Sequence, residues 1–426
     1  MRINIFWFRR DLRFEDNIAL YHALSYGYKV LPIFIFDQNI LNKLEITDPR
    51  VNFIYDTLHL MNNELKTHKS GLKIFFGDPY KVWQKIISEY QVAGVYTNKD
   101  YEPYARDRDE IIKTLLESNN IDFFTYKDQV LFEENEISKD DGNPYTVFTP
   151  YKNKWLRSFD IPSILPLPRI RFQNFYNFVG DFPEISDIGF YRSQIKVLDF
   201  DLSDLEKYHH TRDFPAADGS NLGPHLRFGT ISIRKIIEQL KPGTEIFLSE
   251  LIWREFFKQI LFHFPRVVKG NFKTKYDKIA WLNNERDFQK WCNGETGYPI
   301  VDAGMRQLNE TGYMHNRVRM ITASFLVKHL LVDWRWGEAY FATKLLDYDL
   351  SSNNGNWQWA AGTGCDAAPY FRVFNPLEQA KKFDKNNEYI IRWLPEFKNN
   401  QNYIEPIIEH SFARKRALET YKAGLT

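Results

Sequence analysis

Within the first 127 residues, five short apolar runs alternate with amphipathic stretches, and after about residue 200 that alternation stops. The runs are INIFWF (3–8), VLPIFIF (30–36), LKIFFG (72–77), VAGVYTN (92–98) and IDFFTYK (121–127). Each reads as a strand buried on both faces. The segments near 15–26, 50–68, 79–90 and 103–119 read as helices. This alternation predicts a doubly wound parallel α/β sheet. Its strand ends carry the polar loops RRDLR, FDQNI and KDYEPYARD, the end at which such sheets bind ligands. No GxGxxG follows the first strand, so the usual dinucleotide fingerprint is missing.

Residues 128–199 have a different character. Pro144, Pro150, Pro162, Pro166, Pro168 and Pro183 break any long element, and IPSILPLP (161–168) cannot be a helix. From about residue 200 the pattern is helical. SELIWREFFKQILFHF sets Leu251, Ile252, Phe256, Ile260 and Leu261 on helical spacing, and HNRVRMITASFLVKHLL is a second, mostly apolar helix. The expectation is α/β plus all-α: an α/β domain over 1–127, a connector over 128–199 and a helical domain over 200–426. A chain of 426 residues is longer than one core usually serves.

Aromatic content is high, with 35 Phe, 24 Tyr and 11 Trp, which suits large buried volumes, a planar ligand, or both. The formal net charge is only +1, so any basic face for nucleic acid must be local. Two cysteines, Cys292 and Cys365, exclude a disulfide framework and a four-cysteine metal or iron–sulfur site, and point to a reducing cytoplasm. The run Ile3–Phe8 is too short for a signal peptide, and the run near Val318–Val332 is cut by Arg319, Lys328 and His329, so no membrane span is expected.

Three stretches concentrate polar chemistry. In ELIWRE, Glu250 and Arg254 stand four apart with Trp253 on the same flank. A surface ion pair there would be worth only about 0.3–0.5 kcal/mol; a tryptophan beside a carboxylate is better used in a pocket wall. In MHNRVRM, the residues Asn316, Arg319, Met320 and Ala323 share a helix face, and a buried arginine needs a carboxylate or phosphate. Downstream, LLDYDLSSNN offers Asp347 and Asp349, then Asn353 and Asn354, leading into NWQW with Trp357 and Trp359. That concentration reads as a site facing a polar planar ligand, or as an Asn/Asp-rich turn. In RDFPAADGSNLGPHLRFG, the loop Gly219–Gly223 precedes a helix expected near Ser232 and could cradle phosphate.

Together these segments resemble the photolyase/cryptochrome flavoprotein family. The resemblance runs from WFRRDLR (7–13) through YEPYARDRD, FTPYKNKW, RDFPAADG, ELIWREF, TGYPIVDAGMRQL and MHNRVRMITASFLVKHLLVDW to NNGNWQWAAGTGCDAAPYFRVFNP, nearly the whole chain. It is closest to class I cyclobutane pyrimidine dimer photolyases, which repair ultraviolet-damaged DNA with light. The resemblance implies non-covalent FAD in the helical domain. It assigns cofactor contacts to Tyr208, Ser220, Asn221, Leu222, Gly223, Arg254, Asn316, Arg319, Asp347, Asp349 and Asn353, the last facing flavin N5. It places Glu250, Asn316, Met320, Trp253 and Trp359 at the lesion, which leaves the duplex to reach the flavin. Trp357, Trp334 and Trp281 match electron-relay tryptophans, with Trp291 a nearby competitor for Trp281. Arg212, Arg317 and Arg372, with Lys152, match the DNA-binding face of a monomeric enzyme.

Two departures stand out. The pyrophosphate loop reads GSNLGPHL, with Gly223 where relatives carry serine, and leans on backbone donors. The loop EPYARD lacks the Asn-Glu pair of folate-binding members. A second, antenna chromophore would therefore be a deazaflavin or flavin rather than folate, or be absent. The rival reading is a cryptochrome-type blue-light sensor without repair activity. Asn353, Glu250, Trp253 and Met320, and a chain ending just after ARKRALETYKAGL, favour repair. A nucleotide-binding oxidoreductase rests on the N-terminal pattern alone, and fold does not fix function.

Overall fold

The computed structural model describes residues 1–25, 27–160, 167, 170–398 and 403–425. IPSILPLP (161–168) lies outside these, residue 167 excepted. All five expected strands form: β1 (Ile3–Phe8), β2 (Val30–Asp37), β3 (Lys73–Gly77), β4 (Val92–Asn98) and β5 (Asp122–Tyr126). They pair in parallel in the order β3-β2-β1-β4-β5, so β1 is central. β1 and β2 are buried at every residue, the physical reason their sequences run apolar without alternation. The edge strands differ from expectation: β3 buries only Phe75 and β5 buries no residue, because each has a neighbour on one side only. Side chains still alternate between faces. Phe6, Phe8, Phe34 and Phe36 join one core, whereas Ile5, Trp7, Ile33 and Ile35 join the other.

Three of the sheet's helices begin with an acid followed by proline. Asp48 accepts from the Arg50 N–H ahead of helix Pro49–Thr67, and Asp78 from the Lys81 N–H ahead of Pro79–Glu89. Proline at the first helical position wastes no donor and the carboxylate caps an orphan N–H. Glu102, ahead of Pro103–Glu117, makes no such cap; its carboxylate takes Arg10 at 2.8 Å and Arg227 at 3.0 Å instead. The first helix starts at Ile18 rather than near 15, because Asp16 adopts φ +47° and Asn17 accepts the Leu20 N–H.

The chain divides into two compact units. Unit 1 holds Met1–Glu136, Arg157–Asp199 and Leu222–Leu240; unit 2 holds Ile137–Leu156, Phe200–Asn221 and Lys241–Thr426. The expected connector is thus shared, and its helix Phe148–Ser158 begins in unit 2. Residues 222–240 join unit 1 through buried charge. Arg234 bonds Asp16 and Asp128, each at 2.8 Å; Asp128 also takes Arg13 at 2.7 Å, and Ser232 donates to Asp16. Burial pushes the Asp128 carboxyl up, but the two guanidiniums outweigh it and hold the group below the usual carboxylate range.

Unit 2 is helical, and among the described residues all five strands precede residue 127. Its core gathers Trp291, Trp334, Trp357, Phe325 and Phe341 between helices. The helix Asn316–Ser324 runs into a wider turn over Phe325–His329.

Gly229 has φ +68°, and a Cβ there would lie 2.1 Å from the Arg10 carbonyl oxygen. Gly229→Ala should therefore destabilise the protein by about 1–3 kcal/mol. Urea unfolding checks it; an unchanged midpoint would show that the backbones can separate without cost.

Candidate functional site

Helix Glu245–His263 buries Leu251, Ile252, Phe256 and Ile260 and turns the flank of Glu250 and Trp253 away from that core. Phe148, from the start of another helix, stacks on Trp253 with centroids 3.7 Å apart and planes 9° from parallel. Trp253 is thereby held rigidly with one face covered. The Glu250 carboxylate bridges to Arg212 at 2.7 Å. Burial pushes the Glu250 carboxyl up, and Arg212 only partly offsets this. Arg212 also lies 5.7 Å from the Tyr208 ring centre, and Tyr208 sets its ring edgewise to Phe247. Burial, with Glu250 adding repulsion, pushes the Tyr208 phenol up to about 12. Lys152 donates to the Ser249 hydroxyl at 3.1 Å, so the cations Lys152 and Arg212 flank one carboxyl.

A second group begins at His315, whose ring nitrogen accepts the Arg317 N–H at 3.1 Å and caps helix Asn316–Ser324. Burial, then Arg319 and Arg317, push the His315 imidazole down to about 4, which keeps it neutral and able to accept. Arg319 bonds Asp347 at 2.9 and 3.1 Å and the Met314 carbonyl at 2.8 Å, the carboxylate that its apolar helix demanded. Arg317 pairs with Asp213 at 2.5 Å and lies 4.2 Å from the Phe383 ring centre. Asn316 is exposed, with its amide nitrogen 4.0 Å from the Met320 sulfur.

A third group of residues lies at helix Leu350–Ala361. Asp349 caps it through the Ser352 N–H at 3.2 Å, takes Lys258 at 2.9 Å and accepts from the Ser351 hydroxyl. Four residues on, Asn353 directs its amide N–H groups to the Glu338 backbone oxygen at 3.1 Å and side-chain oxygen at 2.9 Å. Its side-chain oxygen accepts nothing among the described residues. Burial pushes the Glu338 carboxyl up, against the bond from Asn353. Asn354 does not join this group. It donates to the Val267 carbonyl at 3.0 Å and accepts from Gln358, because consecutive helical residues point about 100° apart.

Trp357 is buried against the facing helix Trp334–Lys344, where Gly337 leaves room: a Cβ there would come within 2.1 Å of the indole. The small residues around NWQW thus belong to close helix packing, not to exposure. The rings beside Trp357 are Phe341 at 5.0 Å and Trp291 at 6.1 Å. Trp359 is half-buried with Arg372 5.8 Å from its ring centre. Trp334 is buried and donates to Asn271 at 2.8 Å; Trp281 sets its ring edgewise to Tyr421 at 5.8 Å. Among the described residues no two of Trp281, Trp334 and Trp357 are in ring contact.

The glycine-rich loop differs from expectation. Helix Leu222–Phe228 follows it at once, so Leu222 and Gly223 are helical, and the helix capped by Ser232 is the next one. Asn221 takes φ +50° at the bend, and the Ser220 carbonyl accepts the Asp201 N–H at 2.9 Å. Ser220 and Asn221 close a segment of unit 2; Leu222 and Gly223 open one of unit 1.

Sequence reasoning missed Lys258, Glu338 and Phe148. Lys258 carried a signal, a lysine inside an apolar helix eight residues after Glu250. Glu338 and Phe148 carried none, being far from their partners in the chain. The donor set fits a flavin: a guanidinium–carboxylate pair, a second carboxylate and an amide oxygen left open suit a planar ring with both donor and acceptor edges.

Residues 4–171 match the DNA photolyase family, and residues 247–402 match the FAD binding domain of DNA photolyase. The chain belongs to this family and carries its FAD-binding domain. It is 35% identical to a deoxyribodipyrimidine photo-lyase of Vibrio cholerae over 99% of this chain and 100% of the relative. A bacterial class III photolyase from Agrobacterium tumefaciens superposes with a TM-score of 0.90 at 33% identity, covering 100% of this chain and 98% of the other. An archaeal photolyase from Sulfolobus tokodaii, solved with two FAD molecules, gives 0.86 at 37% identity over 99% of each chain.

Lys258→Met should cost about 3 kcal/mol or more by stripping the ammonium from a buried carboxylate. It should also lower the flavin retained per chain, read from absorbance after gel filtration. A fully stable, fully loaded variant would remove this pair from the foundation of the site.

Proposed function

We propose that this protein repairs cyclobutane pyrimidine dimers in ultraviolet-damaged DNA with light. The observation that carries the reading is Glu250, a carboxyl raised by burial, held beside an indole already stacked on one face and flanked by two cations. Reduced FAD, when bound, supplies the electron that the lesion takes up. The chain's own residues prepare that transfer. Arg319, Asp347, Asp349 and Asn353 would hold the isoalloxazine, Asn353 through the oxygen that Glu338 leaves free. Tyr208, Arg254 and the Ser220–Gly223 segment would hold the rest of the cofactor.

The dimer must leave the duplex, at a cost of a few kcal/mol that is lower for a damaged site. Stacking is worth about 1–3 kcal/mol per base, so Trp253 and Trp359 could offset much of it. Asn316 and Met320, which share the helix face of Arg319, would contact the lesion. Arg212, Arg317, Arg372 and Lys152 would meet phosphates, and binding should weaken with salt. Arg212 leaving Glu250 for a phosphate would raise the carboxyl further. A protonated Glu250 donates to the pyrimidine where negative charge develops. Trp357, Trp334 and Trp281 would carry electrons inward to reduce oxidised flavin. The protein would act as a monomer.

The test is repair of dimer-containing oligonucleotide in light and in darkness; repair in neither would end the proposal. Glu250→Ala should retain flavin and lower repair about ten- to hundredfold, the equivalent of one charge-assisted hydrogen bond. Because the Glu250 carboxyl is raised, its proton persists above the ordinary carboxylate range and is lost as pH rises further. Repair should fall along that limb in the natural protein and stay flat in Glu250→Gln; parallel profiles would reject the proton's role. Trp357→Phe should block photoreduction yet spare repair by chemically reduced enzyme.

A further inference from the structure

The helix Phe148–Ser158 brings no acceptor of its own to its start. Val147 precedes it, and a valine side chain accepts no hydrogen bond. The cap comes from 218 positions away, where the Asp366 carboxylate accepts the Phe148 N–H at 3.0 Å. Phe148 is buried, with Phe256 edgewise at 5.8 Å, so its ring follows the backbone of this first turn. Three further contacts lay the helix along Glu245–His263. Tyr151 meets Phe256 at 5.3 Å, Lys152 donates to Ser249 at 3.1 Å, and Trp155 donates to the buried Glu255 at 2.8 Å. All three bind it to the helix of Trp253; Asp366 ties it elsewhere.

Asp366 belongs to the segment that turns back from helix Leu350–Ala361. Gly362 takes φ +85°, and the Thr363 and Gly364 N–H groups both donate to the Gln358 carbonyl, at 3.0 and 3.1 Å. A Cβ on Gly364 would lie 3.2 Å from the Gln358 carbonyl carbon, so the turn is tight. The Lys273 N–H secures the Thr363 carbonyl at 2.9 Å. Asp366 lies just beyond that turn, in a fixed place relative to Gln358 and its neighbour Trp359. One hydrogen bond thus joins the end of the helix that carries Trp359 to the ring that backs Trp253.

We propose that Asp366 is a positioning residue for lesion capture. Its carboxylate holds the first turn of helix Phe148–Ser158, that turn holds the Phe148 ring flat on Trp253, and Trp253 keeps its place relative to Trp359. This rests on the reading of Trp253 and Trp359 as stacking on the dimer. Asp366 acts through Phe148 and need not touch the lesion. Rings already in place lose less freedom on binding than rings the lesion must order. The benefit falls on damaged DNA, because an intact duplex meets the arginines and leaves the indoles empty.

The test uses the flavin-loaded full chain and dissociation constants for one oligonucleotide with and without a dimer. Asp366→Ala should lower the preference for the dimer about tenfold and leave affinity for undamaged DNA unchanged. Asp366→Asn, whose amide oxygen can accept the Phe148 N–H, should restore the preference. Phe148→Leu keeps the cap but loses the flat ring. It should match Asp366→Ala, and the double variant should lose no more than either, because both act through one contact. In repair under saturating light, Asp366→Ala should raise the substrate concentration for half-maximal rate and leave the plateau little changed. Natural preference in Asp366→Ala, an asparagine variant as defective as alanine, or additive losses in the double variant overturn the role. Equal weakening on undamaged DNA marks a general loss of structure and overturns it too. Should Asp366→Ala fail to fold, natural preference in Phe148→Leu is decisive against it. Trp253→Ala separates the underlying reading. Natural preference there removes the stacking role of Trp253; a loss there alone removes only the positioning by Asp366.

Discussion

One buried carboxylate sets the geometry on which the site depends. Asp349 starts helix Leu350–Ala361 by accepting the Ser352 N–H, and it is anchored to a different helix through Lys258. The cap fixes where the helical phase begins, and the ion pair fixes which way that phase faces. Asn353 and Trp357 follow at intervals of four, so both lie over the same face. Glycines then let the neighbours close in: Gly337 admits the Trp357 ring, and Gly355 admits Phe257. A buried ion pair is poor value as stabilisation but strongly directional, which is what a cofactor site needs.

The cations proposed to meet DNA are already engaged. Arg212 holds Glu250, Arg317 holds Asp213, and Arg372 leans on Trp359 and Phe374. A net charge of +1 is thus compatible with the proposed DNA-binding face. A phosphate would compete with carboxylates for the arginines, and aromatic faces keep the guanidiniums extended meanwhile. In the proposed reaction, exchange of partners would also link binding to chemistry, since Arg212 restrains the Glu250 carboxyl from rising further.

Much of the fold was legible because a short apolar run leaves a clear trace, although only β1 and β2 are buried along their whole length. Five apolar runs became five strands, each within one residue of the expected bounds. The acid–proline pairs at 48–49, 78–79 and 102–103 mark helix starts by local chemistry alone. The loop at 219–223 misled, because a short helix beginning at Leu222 has little periodicity to show. The membership of residues 222–240 in unit 1 was equally hidden: it depends on Arg234 meeting Asp16 and Asp128, more than one hundred positions earlier in the chain.

Residue types and local spacing were enough to specify the parallel sheet, the helical C-terminal part, and the need of Arg319 for a partner. They were enough because strand burial, capping and helical phase act over a few residues. The partners themselves were settled only in three dimensions. Glu338 for Asn353, Phe148 for Trp253, Arg212 for Glu250 and Trp291 for Trp357 are neighbours across separate elements. Which side chains share a buried volume is decided by how whole helices pack, and no local pattern in the chain records that.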